Sequence, residues 1–318
     1  MTRNQLPPLA RQALDRDYLS RDIPDLFTVL QKSPTSLAML MHDGKVLITQ
    51  SVGPVLDLRP LVGAPVGALL AYLGKTDQAQ ATATKQAAIC LAVITKQQAE
   101  QIEPNPKRWV SLRASGAGLS DLDAGIFTQG LALNNWHQTH THCPRCGSET
   151  KIERAGWVRR CEKDDLELFP RTDPAIIVSI RDESDRLLLG SQGTWEDNRW
   201  SVLAGFVEPG ESLEAAVVRE MKEECGLDVS EPEYIYSQGW PYPYSLMLAF
   251  SAKAKSQQPL VPDGEEIIRL RWFSRDELQA EAGELLLPGK ATISRAMIEL
   301  WFGKGISSAS ETSSNGQQ

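Results

Sequence analysis

Glu220, Glu223 and Glu224 stand three and four residues apart in the segment 205–227, GFVEPGESLEAAVVREMKEECGL. On a helix this spacing places three carboxylates on one face. Exposed like charges so placed repel mildly, and a divalent cation removes the repulsion. Mg²⁺ and Mn²⁺ prefer oxygen ligands, and Mg²⁺ commonly binds a few carboxylates together with substrate phosphates. The plain alternative is a solvated helix face. Against it stand Gly205, Glu211, Arg219 and Gly226, each at a set offset around the triple.

A second constellation is Cys143-Pro-Arg-Cys146, then fourteen intervening residues, then Cys161. It resembles three corners of a zinc ribbon, whose two C-x2-C pairs lie about 15–20 residues apart. The fourth corner falls on Asp164. Thiolates are the usual structural ligands of zinc, but carboxylates also serve. Asp164, Asp165, Glu167 and His142 are candidates to complete a structural Zn²⁺ site. The alternative is an insert that has lost its metal and folds by packing. Cys90 and Cys225 read as lone buried thiols, and His42, His137 and His140 as structural.

These residues need elements to hold them. Ser212 is a suitable N-cap for a helix with Glu214 in its first turn and Gly226 just past its end. Val217, Val218, Met221 and Cys225 form an apolar stripe beside the carboxylates. Strands are expected over 174–180, 186–190, 201–207, 244–252 and 266–273, with a closing helix over 293–302. Upstream, runs 36–41 and 46–49 flank Asp43-Gly44, a hairpin signal. Residues 87–94 read as a buried strand, 119–137 as a helix, and 1–22 as a polar arm.

The box of the first paragraph resembles that of the Nudix family, G-x5-E-x7-R-E-U-x-E-E-x-G-U, with Met221 and Leu227 at the apolar positions. The resemblance implies hydrolysis of a nucleoside diphosphate linked to another moiety, with Mg²⁺ or Mn²⁺. It makes Glu220, Glu223 and Glu224 metal ligands, with the Gly205 carbonyl completing a shell. Glu211 and Arg219 become a structural ion pair joining loop to helix. The general base is Glu223, or Glu266 at the head of a strand, which also joins the metal site. A downstream segment, Ser237-Gln-Gly-Trp-Pro-Tyr-Pro-Tyr-Ser245, resembles the S-Q-P-W-P-F-P-x-S signature of the NAD(H) pyrophosphatase branch. It implies substrate contacts by Gln238, Trp240, Tyr242 and Ser245. Gly239 departs from the signature proline and frees backbone that proline restrains. Phe169 and Phe206 would sandwich a base, with Ile177 lining the same space; the alternative is that the two rings are core.

The expected fold is α+β: an N-terminal β-rich domain (1–138), a zinc-ribbon-like linker (139–170), a Nudix α/β/α sandwich with a mixed sheet (171–304) and a disordered tail (305–318). The expected reaction converts NAD(H) to NMN(H) and AMP, with NAD-capped RNA as a second substrate. Arg154, Arg159, Arg160, Lys163 and Arg171 are either an RNA-phosphate patch or a solvated face. The alternatives are a pyrophosphatase for FAD, ADP-ribose or a CoA derivative, or a non-catalytic NAD- or RNA-binding module. The family resemblance implies a homodimer. At 318 residues, 42% hydrophobic, 23% charged and net charge −8, the chain has room for two cores and no bulk attraction to nucleic acid. Its most apolar run, 61–73, is short and broken by Gly and Pro, so no membrane span is expected. No hydrophobic signal core is seen, and five cysteines with a C-x-x-C favour a reducing compartment, the cytoplasm.

Overall fold

The computed structural model describes residues 6–65, 67–76, 86–255 and 258–312. Packing divides the chain into two units: Arg11–Thr172 with Trp240–Tyr244, and Asp173–Gly239 with Ser245–Gln318 and Met1–Ala10.

The first unit contains α1 (Leu26–Gln31), β1 (Leu37–His42), β2 (Lys45–Gln50), β3 (Pro54–Leu56), β4 (Arg59–Pro60), β5 (Leu69–Lys75), β6 (Ala88–Val93), α2 (Lys96–Ile102), β7 (Trp109–Ser111), α3 (Leu112–Ser115), α4 (Asp121–Thr139), β8 (Lys151–Glu153), β9 (Val158–Cys161) and β10 (Leu166–Leu168). Strands β3-β2-β1-β6-β5 run side by side, with β4 on β1 and β7 on β2. The β1–β2 turn holds Asp43 at φ 50° and Gly44 at φ 67°, the two positive angles a two-residue hairpin needs. Ser120 caps α4 by accepting from Asp123 N at 3.1 Å. Buried Ile126, Phe127, Leu133 and Trp136 make this helix the unit's central support. Gly130 lets it close on the sheet, since a Cβ there would lie 2.3 Å from Met39 Cε.

The polar N-terminal stretch, expected as an arm, is tied down over its described part. Asp15 and Lys75 exchange backbone hydrogen bonds of 3.1 and 2.9 Å. Gly74, at φ +139°, admits this approach; its Cβ would sit 2.1 Å from Asp15 O. Tyr72 donates to Asp17 at 2.8 Å. Composition suggested solvent; the sheet edge offered partners instead.

The second unit contains β11 (Asp173–Arg181), β12 (Leu187–Gln192), β13 (Leu203–Phe206), α5 (Leu213–Cys225), β14 (Val229–Trp240), β15 (Ser245–Ala254), β16 (Ile267–Phe273), α6 (Arg275–Glu281), α7 (Ile293–Phe302) and α8 (Ala309–Thr312). The sheet order is β14-β15-β11-β12-β16, with β13 on β11. It is mixed, because β11 and β15 are parallel while β11 and β13 are antiparallel. Alternation along β11 builds the sandwich: Ile176, Val178 and Ile180 join Val217 and Met221 of α5, while Ile177 joins Met297 and Ile298 of α7 on the opposite face. The α+β architecture with a mixed sheet is as expected. Strand β14 was not anticipated. It carries Pro232 and Glu231 at φ 53°, features an edge strand tolerates and a central one does not.

Of the segment read as a disordered tail, residues 305–312 are described and 313–318 lie outside the described residues. Ile306 is buried in the α7-side cluster. Arg295, buried on α7, donates to Glu299 at 2.9 Å, to Pro288 O at 3.0 Å and to Ile306 O, and pairs with Glu311 at 2.5 Å. Among the described residues no helix is long and apolar enough to cross a membrane.

One buried network joins α4 to the β8–β10 sheet. His137 Nε2 donates to Gly156 O at 2.8 Å, and its Nδ1 accepts from Arg159 at 3.0 Å. That arrangement suits only the neutral ring. Burial lowers the His137 pKa to about 4. The unfolded chain therefore binds a proton on acidification before the folded chain does. Stability present above the unfolded value, 6.5, is lost as pH falls toward 4. Relative to pH 7, His137 costs the fold about 2 kcal/mol at pH 5. Urea unfolding at the two pH values should show that loss in the wild type and a smaller one in His137→Gln, whose amide can donate and accept at the same places. Equal losses would contradict the assignment.

Candidate active site and cysteine cluster

Helix α5 begins where Ser212 accepts from Ala215 N at 3.1 Å and ends at Gly226, φ 73°. Ala216, Val217, Met221 and Cys225 are buried beneath it. Val218 is 43% exposed, so the expected stripe is narrower; one residue past Val217 turns the side chain outward. The triple grades from exposed Glu223 through half-buried Glu220 to Glu224, only 5% exposed.

Arg219 fixes the preceding loop to this helix. Its Nε and Nη2 grip both Glu211 oxygens at 2.8 and 2.9 Å, and Nη2 also donates to Phe206 O at 3.0 Å. Its Nη1 lies 2.9 Å from Glu220 and 2.9 Å from Glu223. Glu211 Oε2 accepts from Glu208 N at 3.0 Å. The Arg219 fork, then the Glu208 amide, hold the Glu211 carboxyl down at about 2. Gly205, on β13, faces Glu220 so closely that a Cβ would lie 2.1 Å from its carboxyl carbon.

Burial pushes Glu220 above the ordinary carboxylate range. Glu224 is pushed up to about 8, first by burial and then by the charges of Glu220, Glu266, Asp263 and Glu223. Its Oε2 is buried and has no hydrogen-bond partner among the described residues. A carboxylate so placed needs a proton or a cation. Carboxylates are the donors a hard divalent ion takes, but among the described residues only the cysteine set already brings three or more ligand atoms together. Glu266 is exposed immediately before β16 and close enough to act on both Glu220 and Glu224. Asp263 was missed in the sequence. Its Oδ1 accepts from the amides of Glu265, Glu266 and Ile267 at 2.9, 3.0 and 2.9 Å, shaping the turn that presents Glu266. The signal available was Asp263-Gly264 ahead of a strand.

The expected substrate residues fall in both units. Ile177, Phe206, Gln238 and Ser245 belong to the second, and Phe169, Trp240 and Tyr242 to the first. Phe169 and Phe206 are 57% and 60% exposed, so neither ring is core. Ile177 is buried against Leu189, Tyr236 and Ala249. Gln238 is 1% exposed, and neither of its amide atoms has a hydrogen-bond partner among the described residues. Ser245 opens β15 opposite Asp173. The rings of Trp240 and Tyr242 stand 4.8 Å apart, with the Arg113 guanidinium 4.1 Å above Tyr242. The basic run is largely engaged. Arg159 serves the His137 network, Arg160 pairs with Glu153, Asp165 and Glu167, and Arg154 with Asp22 and Glu167. This favours a structural face over an RNA patch.

Cys143, Cys146, Cys161 and Asp164 converge as their spacing suggested. One ligand atom from each lies within 4.8 Å of all the others. Cys146 and Cys161 sulfurs are 3.5 Å apart, too far for a disulfide, and Cys143 Sγ is 3.7 Å from Asp164 Oδ2. Ligands at about 2.3 Å from a tetrahedral zinc stand about 3.8 Å apart, so the set fits Zn²⁺. His142, Asp165 and Glu167 are not in the cluster. Asp164→Ala should release zinc to a chelator at least about tenfold faster than wild type, and Asp164→Cys should not. Wild-type release from Asp164→Ala would remove Asp164 from the shell.

Residues 170–296 match the NUDIX domain, 138–169 the NADH pyrophosphatase zinc ribbon domain, and 35–136 the NADH pyrophosphatase-like rudimentary NUDIX domain. The NAD-capped RNA hydrolase NudC of Mycobacterium tuberculosis strain H37Rv is 40% identical over 206 residues, 62% of this chain. The match spans 66% of that relative's length, just under two thirds. The NAD-capped RNA hydrolase NudC of Stutzerimonas stutzeri is 36% identical over 200 residues, 62% of this chain and 68% of the relative. The NAD-capped RNA hydrolase NUDT12 of Macaca fascicularis is 36% identical over 198 residues, 58% and 43% respectively. A catalytic-type box in register on α5, a four-ligand cluster inside the ribbon match, and these relatives agree: the chain belongs to the Nudix hydrolase family, in the branch that carries the NADH pyrophosphatase zinc ribbon.

Proposed function

We propose that this chain hydrolyses the pyrophosphate of NAD(H) to NMN(H) and AMP, and releases 5′-monophosphate RNA from NAD-capped ends. The observation that carries the reading is Glu224: a buried carboxylate whose Oε2 has no hydrogen-bond partner among the described residues, in the field of the charges of Glu220, Glu266, Asp263 and Glu223. Glu220, Glu223, Glu224, Glu266 and the Gly205 carbonyl would hold Mg²⁺ or Mn²⁺. When bound, such ions neutralise phosphate charge and make water a nucleophile at neutral pH. Arg219 keeps Glu220 and Glu223 oriented and ties Glu211 to the helix. Phe206 and Phe169 each present an exposed ring able to stack on a base, and Gln238 brings an amide with no hydrogen-bond partner among the described residues. The names of the relatives support the substrate choice.

Two carboxylates are candidates for the proton acceptor. Glu223 is partly engaged by Arg219, whereas Glu266 has no ion pair among the described residues. Zinc in the ribbon is structural in this reading, and the free thiols suit the cytoplasm. The homodimer is part of the same proposal.

A substrate panel with Mn²⁺ tests the substrate class: NADH should exceed ADP-ribose, FAD and CoA derivatives in kcat/KM, and a wide preference for ADP-ribose would refute it. Glu223→Gln should lower turnover at least about a hundredfold with an unchanged melting temperature. An undiminished rate would sink the site assignment.

A further inference from the structure

We infer that Asn135 is a positioning residue for substrate affinity: from α4, it holds the backbone on both sides of Tyr242 and so sets the shape of the Trp240–Tyr244 loop. This rests on the proposed role of that loop in binding the dinucleotide. The Asn135 amide nitrogen donates to Pro241 O at 3.0 Å and to Pro243 O at 3.1 Å. Both acceptors are carbonyls, so the amide nitrogen and its two hydrogens must face them. The two carbonyls bracket Tyr242, whose ring packs against Trp240 at 4.8 Å. Pro241 and Pro243 have no N–H of their own, so backbone pairing cannot restrain the loop at those positions. Gly239, just before it, adds freedom rather than removing it.

The helix supplying this clamp is itself fixed. Trp136 is fully buried, His137 is bonded to Gly156 and Arg159, and His140 O accepts from Thr150 at 3.0 Å. One turn beyond Asn135, Thr139 Oγ1 lies 3.5 Å from the Tyr244 hydroxyl. All of these residues are in one packed unit. Asn135 touches no reacting group in this account; it acts through the loop. A loop held in one shape binds its ligand with little ordering cost, and a loosened one binds weakly while leaving the carboxylates that carry the chemistry unchanged.

The test is steady-state kinetics on the full chain with Mn²⁺. Asn135→Asp keeps the shape but replaces the donor with an acceptor facing two carbonyls. It should raise KM for NADH about tenfold or more with kcat within about threefold. Asn135→Gln, which retains the donor, should recover part of the loss. Hydrogen exchange should be faster at the Trp240 and Tyr242 amides of Asn135→Ser and unchanged along α4. An unchanged KM in a folded Asn135→Asp protein, or unchanged exchange in Asn135→Ser, would overturn the inference and leave the proposed function standing. If Asn135→Asp does not fold, the exchange result with Asn135→Ser decides. Wild-type preference for ADP-ribose over NADH would instead remove the functional reading beneath it.

Discussion

The Arg219 fork is the contact on which the site depends. One guanidinium holds both oxygens of Glu211, the carbonyl of Phe206 and two carboxylates of the helix that bears it. A point charge on a flexible stem could not satisfy that planar set, which is why lysine is not an equivalent. Through it, the turn after β13 is fastened to the first half of α5. Phe206 is thereby held outward and Gly205 against Glu220. Loosening the fork would shift the loop and the carboxylate face together.

The same arrangement sets an electrostatic problem. One arginine faces Glu211, Glu220 and Glu223, while Glu266 and Asp263 add further negative charge felt by Glu224. Glu211 is answered fully by the fork and stays strongly acidic. Glu224 lies deeper, and its Oε2 has no hydrogen-bond partner among the described residues. Folding alone gains little from a buried carboxylate with an unpartnered oxygen, and the proposed cation would supply the missing partner. The cysteine cluster offers softer ligands, three sulfurs and one carboxylate within 4.8 Å of one another, close enough for one tetrahedral ion to draw together.

Much of this was legible because it is local. The Glu220–Glu223–Glu224 face follows from helical spacing, and the Arg219–Glu211 pair was expected from the resemblance of the segment to the Nudix box. The Asp43-Gly44 hairpin and the closing helix α7 likewise announce themselves within a few residues. The three ribbon cysteines were readable from spacing, whereas the choice of Asp164 over Asp165, Glu167 and His142 needed the structure. What escaped depends on partners far along the chain. Asp263 gains meaning only beside Glu224 across the fold, and Asn135 only against Pro241 and Pro243, more than a hundred residues away. The N-terminal stretch looks like solvent-facing arm until Gly74 and Tyr72 receive it. The basic run, open in the sequence to a phosphate patch or a solvated face, takes its structural reading only when Glu153, Glu167 and His137 are placed beside it.

The central claim is that the acidic face of α5 exists to hold a divalent cation, with Glu224 as its buried anchor. Mn²⁺ affinity, followed by electron paramagnetic resonance on the wild type and on Glu224→Gln, tests it most directly. The account predicts saturable binding by the wild type and at least about tenfold weaker binding by Glu224→Gln, whose neutral amide fills the same space. Equal Mn²⁺ affinity in the two proteins would contradict it.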